Sequence, residues 1–521
     1  MEKEVLYPVD TASFSNIREN NFVYVDKTRY IHDLTVSKGT YYFLTRPRRF
    51  GKTLFLDTLA EYFSGNKALF EGLAISLLKT DEWEAFPVIR LNMSGKTFSD
   101  SSSLVRKIES QLAEIERLFD IPHSDRDFDE RFEALIRNVA NKSNKKAVIL
   151  IDEYDAPLTS TIDSPELQEK YRAELQGLYS VLKNSEAYIQ FCMLTGLTRY
   201  GMVSVFSGLN NLNDITFDDK YAGICGITEA ELHQHYEDGI EALARKYNLT
   251  NNEIYQKVKD EYDGYHFSSC MLDVYNPFSI NHLFAKEKFE DYWCRSGVPT
   301  ILSKSLMHND FDVEKLNGKK VPESELSDLS MFNPNPVPLF YQTGYLTIKG
   351  YEERRKRYTL GYPNREIEAA IMRNILKVYT HANDDRQGKV YDMEDALEGG
   401  KPREFITLLS SFLSDIPTQL HKYVAKYENY YHTIFYCLTT LIGLDVEAEY
   451  STAEGFIDIL IKTAGYIYII ELKVNGSAED AIAQIEERHY AAPFASDPRN
   501  LVKIGIGFSP VTHNIDSYLI K

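Results

Sequence analysis

At 521 residues the chain exceeds what one hydrophobic core usually serves, so two or three domains are expected. Its formal net charge of −19, from 58 Lys and Arg against 77 Asp and Glu, excludes a protein that coats nucleic acid through bulk electrostatics but leaves room for a local cationic cleft. The five cysteines (Cys192, Cys225, Cys270, Cys294 and Cys437) have no metal or redox spacing, the N-terminus is charged, and no run of about 18 apolar residues occurs, so the chain reads as cytoplasmic, without disulfides or a membrane span.

Residues 40 to 60 read as an apolar strand, a turn, and a helix whose Leu54, Phe55, Leu59 and Phe63 recur at helical spacing. The turn, Arg46-Pro47-Arg48-Arg49-Phe50-Gly51-Lys52-Thr53, is a Walker A phosphate loop in all but its first residue, where Arg46 stands for glycine. The strand Ala147 to Ile151 is apolar on both faces, as buried parallel strands are, and it ends in Asp152-Glu153, a Walker B pattern. Strand candidates Phe86 to Leu91 and Tyr188 to Leu194 alternate with helical stretches Ser102 to Leu118 and Ser164 to Lys183, which argues for a parallel α/β sheet. From about 226 the texture becomes helical, as in a lid, with a polar break at Tyr262-Asp263-Gly264-Tyr265-His266. Between 335 and 365 the pattern is a helix and then a β-hairpin, one reading of which is a small winged-helix-like element. The Gly399 to Pro402 break follows an acidic stretch and marks a domain boundary between about 385 and 403. A strand-rich region spans 445 to 508.

At the first site the roles follow from chemistry. Lys52 neutralises β/γ-phosphate oxygens, Thr53 ligates Mg²⁺, Asp152 orients the ion's water shell, and Glu153 polarises an attacking water. Thr195 and Arg199, at the tip of the strand beside Asp152-Glu153, are candidate γ-phosphate sensors. A residue with a Cβ at the missing glycine is expected to carry a backbone penalty of about 1 kcal/mol. The loop would then be wider, with Arg48 or Arg49 replacing a lost donor.

The second site lies in a predicted hairpin, Gly455 to Ile461 and Tyr466 to Lys473. With Ala464-Gly465 as a two-residue turn, position 463 pairs with 466 and Asp458 falls opposite Glu471, while Lys473 shares the face of Glu471. Two carboxylates and a lysine converging from adjacent strands suit a Mg²⁺-dependent phosphodiesterase: Asp458 and Glu471 hold the metal and Lys473 positions the water. An acid among Ile and Leu in mid-strand is costly to bury unless it has a partner. Glu449, with Glu447 behind it, is placed to complete the metal shell. A helix N-capped by Ser477, with Asp480 three residues on, would carry Gln484 towards the same cleft, with Tyr490 beyond its end.

These segments, together with Tyr24-Val25-Asp26-Lys27-Thr28, Leu150 to Asp155, Phe206-Ser207-Gly208-Leu209-Asn210-Asn211, Tyr275-Asn276-Pro277-Phe278-Ser279 and Glu471-Leu472-Lys473, resemble the bacterial family that joins an AAA-ATPase-like domain to a PD-(D/E)xK nuclease-superfamily domain. The resemblance runs nearly end to end. It implies a P-loop NTPase parallel sheet with a helical lid and then a C-terminal α/β restriction-endonuclease-like domain, divided 1–225, 226–390 and 391–521. It also implies that Arg46 is a family trait and that Asp458, Glu471, Lys473, Gln484 and Tyr490 belong to the nuclease core. The family pattern carries Gly-Arg before the hairpin aspartate, whereas here Phe456 follows Gly455. The expected cofactors are ATP and Mg²⁺, with the phosphate-loop residues Arg46, Arg48, Arg49, Phe50, Gly51, Lys52 and Thr53, and with Asp152, Thr195 and Arg199, on the nucleotide. The expected partner is nucleic acid, DNA ahead of RNA, with homo-oligomers open. The expected function is an ATPase and metal-dependent nuclease in which ATP regulates cleavage. The rival is a non-cleaving nucleotide-dependent switch whose nuclease-like domain binds nucleic acid or protein, a reading motivated by Arg46, Phe456 and the acidic charge.

Overall fold

The computed structural model describes residues 5–37, 39–79, 83–95, 98–161, 164–199, 205–206, 209, 211–296, 316–327, 336–380, 387–414, 427–442, 444–474, 476–509, 511–512 and 514–521. Ser207, Gly208 and Asn210 of the quoted Phe206 to Asn211 motif, and 381–386 at the edge of the expected domain boundary, lie outside them. The chain divides into two compact units, one from 1–297 and 318–366, the other from 298–317 and 367–521. The second unit thus starts ahead of the Gly399 to Pro402 break. That break separates two helices, Gln387–Glu398 and Pro402–Ser414, within it.

In the first unit, β1 (Tyr41–Thr45), β2 (Val88–Asn92), β3 (Ala147–Asp152), β4 (Ile189–Gly196) and β5 (Asn213–Asp214) form a parallel sheet in the order β2-β3-β4-β1-β5. Every residue of β1 and β3 is buried, because helices cover both faces of a parallel sheet. On one face Phe43, Ile149, Ile151 and Leu194 pack against Leu104, Ile108, Phe132, Leu135, Tyr171 and Leu175 of the helices Ser103–Leu118, Phe128–Ser143 and Pro165–Asn184. On the other, Phe191 meets Tyr42 at 5.4 Å and Phe63 of the helix Lys52–Phe63 at 5.1 Å between ring centroids. Truncating one such buried side chain to alanine typically costs about 2–5 kcal/mol. The order sets the carboxyl ends of β1, β3 and β4 side by side, which is where open α/β sheets carry ligands.

The expected helical lid is present. The helices Glu229–His235, Glu237–Tyr247, Asn251–Tyr262 and Pro277–Lys286 share a core of Leu232, Ile240, Leu243, Ile254, Val258 and Leu283. Two capping boxes, Thr228 with Glu231 and Thr250 with Glu253, start the first and third of these helices. A short antiparallel pair, β6 (Ile227–Thr228) and β7 (Val274–Tyr275), ties this layer together. The helix-then-hairpin pattern is the helix Val337–Gln342 followed by β9 (Thr347–Glu352) and β10 (Arg357–Gly361). A strand that the sequence reading did not anticipate, β8 (Lys320–Pro322), pairs with β10, giving the order β8-β10-β9.

The second unit holds β11 (Asp445–Thr452), β12 (Gly455–Lys462), β13 (Tyr466–Val474), β14 (Asn500–Ser509) and β15 (Asn514–Ile520) in sequential order, with only β13 and β14 parallel. A parallel pair needs a crossover, supplied by the helix Ala478–Glu487. Ser477 and Asp480 cap it reciprocally, at 3.1 and 2.9 Å. Ile482 and Ile485 pack on Leu460, Ile467 and Ile469. Gly505 lets this helix lie close, since a Cβ there would sit 2.5 Å from the Ala478 carbonyl oxygen.

Candidate nucleotide and metal sites

The phosphate loop leaves β1 and turns into its helix through Gly51, whose φ of 93° suits glycine. The missing first glycine carries no penalty, which corrects the expectation of a strained Arg46. The left-handed residues of the loop are Arg49 (φ 65°) and Gly51, not Arg46. The Arg46 side chain is fully buried, with Nη1 donating to the carbonyls of Thr45 and Thr216 at 2.9 Å each and Nη2 to Tyr221 at 3.2 Å. Its guanidinium lies 4.3 Å from the Phe267 ring centroid. Arg46 therefore braces the loop from behind, with Nη1 and Nη2 donating to backbone carbonyls and Nε buried without a hydrogen-bond partner. Phe50 likewise points into an aromatic cluster, edge-on to Tyr265 and Phe267.

Lys52, Thr53, Asp152, Glu153 and Thr195 converge. The Asp152 carboxylate accepts the hydroxyls of Thr53 and Thr195, each at 2.7 Å, and the Glu153 N–H at 3.1 Å. Lys52 donates to the loop's own carbonyls at Arg46 and Pro47, 2.8 and 2.9 Å away. Burial pushes the Lys52 ammonium below the ordinary lysine value, and Asp152 pulls it partly back. Glu153 has a left-handed backbone, φ 52°, and burial followed by the Asp152 charge pushes its carboxyl up. Strain of this kind, of order 1–3 kcal/mol, clusters at functional sites.

The other arginines do not join this group. Arg199 pairs with Asp214 at 2.7 Å, and its backbone N–H goes to Gln342 at 2.6 Å. Arg49 lies over the Phe278 ring at 3.8 Å, and Arg48 is exposed. Sequence reasoning missed an apolar cleft beside Gly51, lined among others by Tyr24, Val25, Phe50, Leu54, Ile224 and Cys225. The Tyr24 to Thr28 segment was a signal for it. Lys27 locks that segment to the lid through Glu231, 2.6 Å away.

In the second unit the hairpin register is the one a two-residue turn demands. Lys462 pairs with Ile467 and Ile459 with Ile470, which makes Asp458 and Glu471 the next pair. There the backbone ladder ends, and the Asp458 carboxylate accepts the Leu472 N–H at 2.8 Å. Glu471 is wholly buried. Its Oε1 lies 3.2 Å from the Lys473 ammonium, while its Oε2 has no hydrogen-bond partner. Burial and then the Asp458 charge push its carboxyl up to about 7, against the pull of Lys473. Gln484 donates to the Tyr490 hydroxyl at 3.4 Å, and Tyr490 itself sits in the apolar core. Glu449 falls opposite Asp458 in the β11–β12 register but is exposed, in a left-handed backbone of φ 48°. Among the described residues no group of three or more His, Cys, Asp or Glu is arranged to hold a metal ion. Glu447 instead pairs with Lys462 at 2.6 Å.

Residues 8–206 match a family described as predicted AAA-ATPase, and residues 426–518 match the PD-(D/E)XK nuclease superfamily. An uncharacterized protein in the vnfD 5′ region of Azotobacter chroococcum mcd 1 is 34% identical over 528 residues, covering 99% of this chain and 98% of the relative. The chain belongs to this family of AAA-ATPase-like proteins with a nuclease-superfamily domain. A solved structure, titled as the Aeropyrum pernix ORC2 protein in ADPNP and ADP complexes, is 13% identical with a TM-score of 0.25 over 59% of this chain and 75% of that one, a likeness too slight to bear on function.

Both halves of this AAA-ATPase-like chain have residues that fit the groups their domains generally use. In the first, a buried ammonium and a carboxylate gripped by two hydroxyls fit a nucleotide and its metal. In the second, the unpartnered oxygen of the buried Glu471, beside the half-buried Asp458, fits a divalent cation, because a positive ion would relieve the repulsion between the two neighbouring carboxylates. No helix among the described residues is long and apolar enough to cross a membrane.

Proposed function

We propose that this protein is an ATP-regulated, Mg²⁺-dependent nuclease acting on DNA, with ATP as a control signal bound in the first unit. The observation that carries the reading is Glu471: a fully buried carboxylate, one oxygen unpartnered, next in register to Asp458 and 3.2 Å from Lys473. Burying a charge in this way is costly and is kept where an ion or a reaction needs it. Asp458 and Glu471 would hold Mg²⁺, which when bound supplies a Lewis acid and an acidified water. Lys473 orients the attacking water and donates towards the phosphate oxygens, and Gln484, fixed through Tyr490, helps to place the substrate. In the first unit Lys52 would exchange its two loop carbonyls for phosphate oxygens, and Thr53 and Asp152 would hold the nucleotide's metal. Glu153 would polarise water, Thr195 would sense the γ-phosphate through Asp152, and the cleft beside Gly51 would take the base.

The test compares cleavage of plasmid and single-stranded DNA by the wild type, Lys52→Ala and Lys473→Ala, with and without ATP. Mg²⁺-dependent cleavage lost in Lys473→Ala and altered in its ATP response in Lys52→Ala is expected; no Mg²⁺-dependent cleavage under any condition would overturn the reading. The exposure of Glu449 favours the second reading, a non-cleaving switch, because it leaves two carboxylates at the second site. Tight ATP binding that leaves the γ-phosphate intact, with DNA binding indifferent to Glu471→Gln, is the signature of that switch.

A further inference from the structure

Three basic runs stand out in this acidic chain, and the fold treats them differently. The run Arg46 to Arg49 belongs to the phosphate loop, with Arg46 buried and Arg49 on Phe278. In the run Lys142 to Lys146, Lys142 pairs with Asp120 at 2.8 Å and Lys145 with Glu84 at 3.3 Å. The third, Arg354-Arg355-Lys356-Arg357, stands at the tip of the β9–β10 hairpin.

That tip is presented by a rigid base. Ile348, Tyr358 and Leu360 are buried, and the Tyr351 and Tyr358 rings lie 4.8 Å apart. Arg354, Arg355 and Lys356 are exposed. Glu352 is shared between Arg357 at 2.9 Å and Arg355 at 3.3 Å, while Arg354 and Lys356 have no ion-pair partner among the described residues. Lys320 of β8, across from Thr359 of β10, adds a fifth cation whose charge reaches Glu352, and the only acids in the turn are Glu352 and Glu353. Lys356 turns the chain at φ 48°, a left-handed position where glycine or asparagine would be easier. Four cations against two acids, with Arg354 and Lys356 left without ion-pair partners among the described residues, do not stabilise the fold. They match a regularly spaced polyanion.

We infer that the 354–357 hairpin tip is a contact surface for the phosphodiester backbone of a nucleic-acid duplex, read by charge and not by sequence. It supplies the local cationic surface that a chain of net charge −19 needs to approach such a partner. The inference rests on the reading that the protein acts on nucleic acid, but not on cleavage.

The experiment measures fluorescence anisotropy of the full chain with labelled DNA and RNA duplexes of about 30 base pairs, in EDTA, between about 50 and 200 mM salt. The variants are Arg354→Glu/Arg355→Glu/Lys356→Glu and the milder Arg354→Gln/Lys356→Gln. Charge reversal should weaken binding to DNA, RNA or both at low salt at least tenfold, and lower the slope of log K against log salt by about 2. The Gln pair should fall between the two and decides the matter if the reversal variant misfolds by circular dichroism. Unchanged affinity and slope would overturn the inference, as would wild-type binding to anionic vesicles but to neither duplex. Tip-dependent binding without any Mg²⁺-dependent cleavage leaves it standing and retires the nuclease reading; cleavage with tip-independent binding does the reverse.

Discussion

The two candidate sites handle charge in opposite ways. Around Asp152 the carboxylate and the lysine both have partners within the protein: two hydroxyls and an N–H for Asp152, two carbonyls for Lys52. Around Glu471 the Asp458 carboxylate and the Lys473 ammonium are neighbours, and one Glu471 oxygen is left without a hydrogen bond. The first site is closed on itself and must exchange internal bonds to bind a ligand, which suits a controlled switch. The second sets a buried carboxylate beside another, a conflict that a proton or a bound metal ion relieves, which suits metal-assisted chemistry.

The strongest way to break this contrast is Glu471→Gln. Mg²⁺-dependent cleavage should drop by about 10²–10⁴-fold in a plasmid assay, the usual span for removing a group that acts in the transition state. The melting temperature should hold or rise, because a buried like-charge conflict goes with it. Next in size is the frame of the first site. Asp155 is buried and accepts the N–H groups of Leu197 and Thr198 and the Thr198 hydroxyl, so Asp155→Ala leaves buried donors unmet and should cost about 3 kcal/mol in urea unfolding.

A comparable effect comes from Glu366, buried beneath the Trp293 and Cys294 N–H groups and the Ser279 hydroxyl, where burial pushes its carboxyl up to about 7. An acid whose folded value lies above its unfolded one contributes stability that is fully present below about pH 4.5 and is lost as pH rises through 7. The loss should approach about 3 kcal/mol, and in Glu366→Gln the stability of the first unit should be flatter across that window. Lys52→Ala should weaken ATP binding tenfold or more by calorimetry, yet change unfolding free energy by about 1 kcal/mol or less, since the lost carbonyl bonds are offset by relief of a buried charge. The smallest effect should be Lys356→Gly, stabilising by about 0.5–1 kcal/mol through release of a left-handed backbone, without touching either site.

Much of both sites was legible because their signals are local. Gly51-Lys52-Thr53 carries its own turn and helix start, and the Asp152-Glu153 pattern ends a strand whose burial on both faces is written in its composition. The Ala464-Gly465 turn dictates the register, which extended one step past its last paired residues sets Asp458 across from Glu471. What could not be read were contacts between residues far apart in the chain. Arg46 looked like a damaged phosphate ligand until Thr216, Tyr221 and Phe267 closed around it. Arg199 looked like a sensor until Asp214 and Gln342 engaged it.

Glu449 is the sharpest instance. Its register opposite Asp458 follows from strand pairing, yet a left-handed backbone turns it out to solvent. The sequence by itself therefore determined most of the elements, the order of the two units' motifs and the register that sets Asp458 across from Glu471, because periodicity and tight turns act over a few residues. Only the tertiary structure decided which charges are satisfied and which are left over. Burial and long-range hydrogen bonding set the energy of a charge, and neither can be seen until the chain has folded around it.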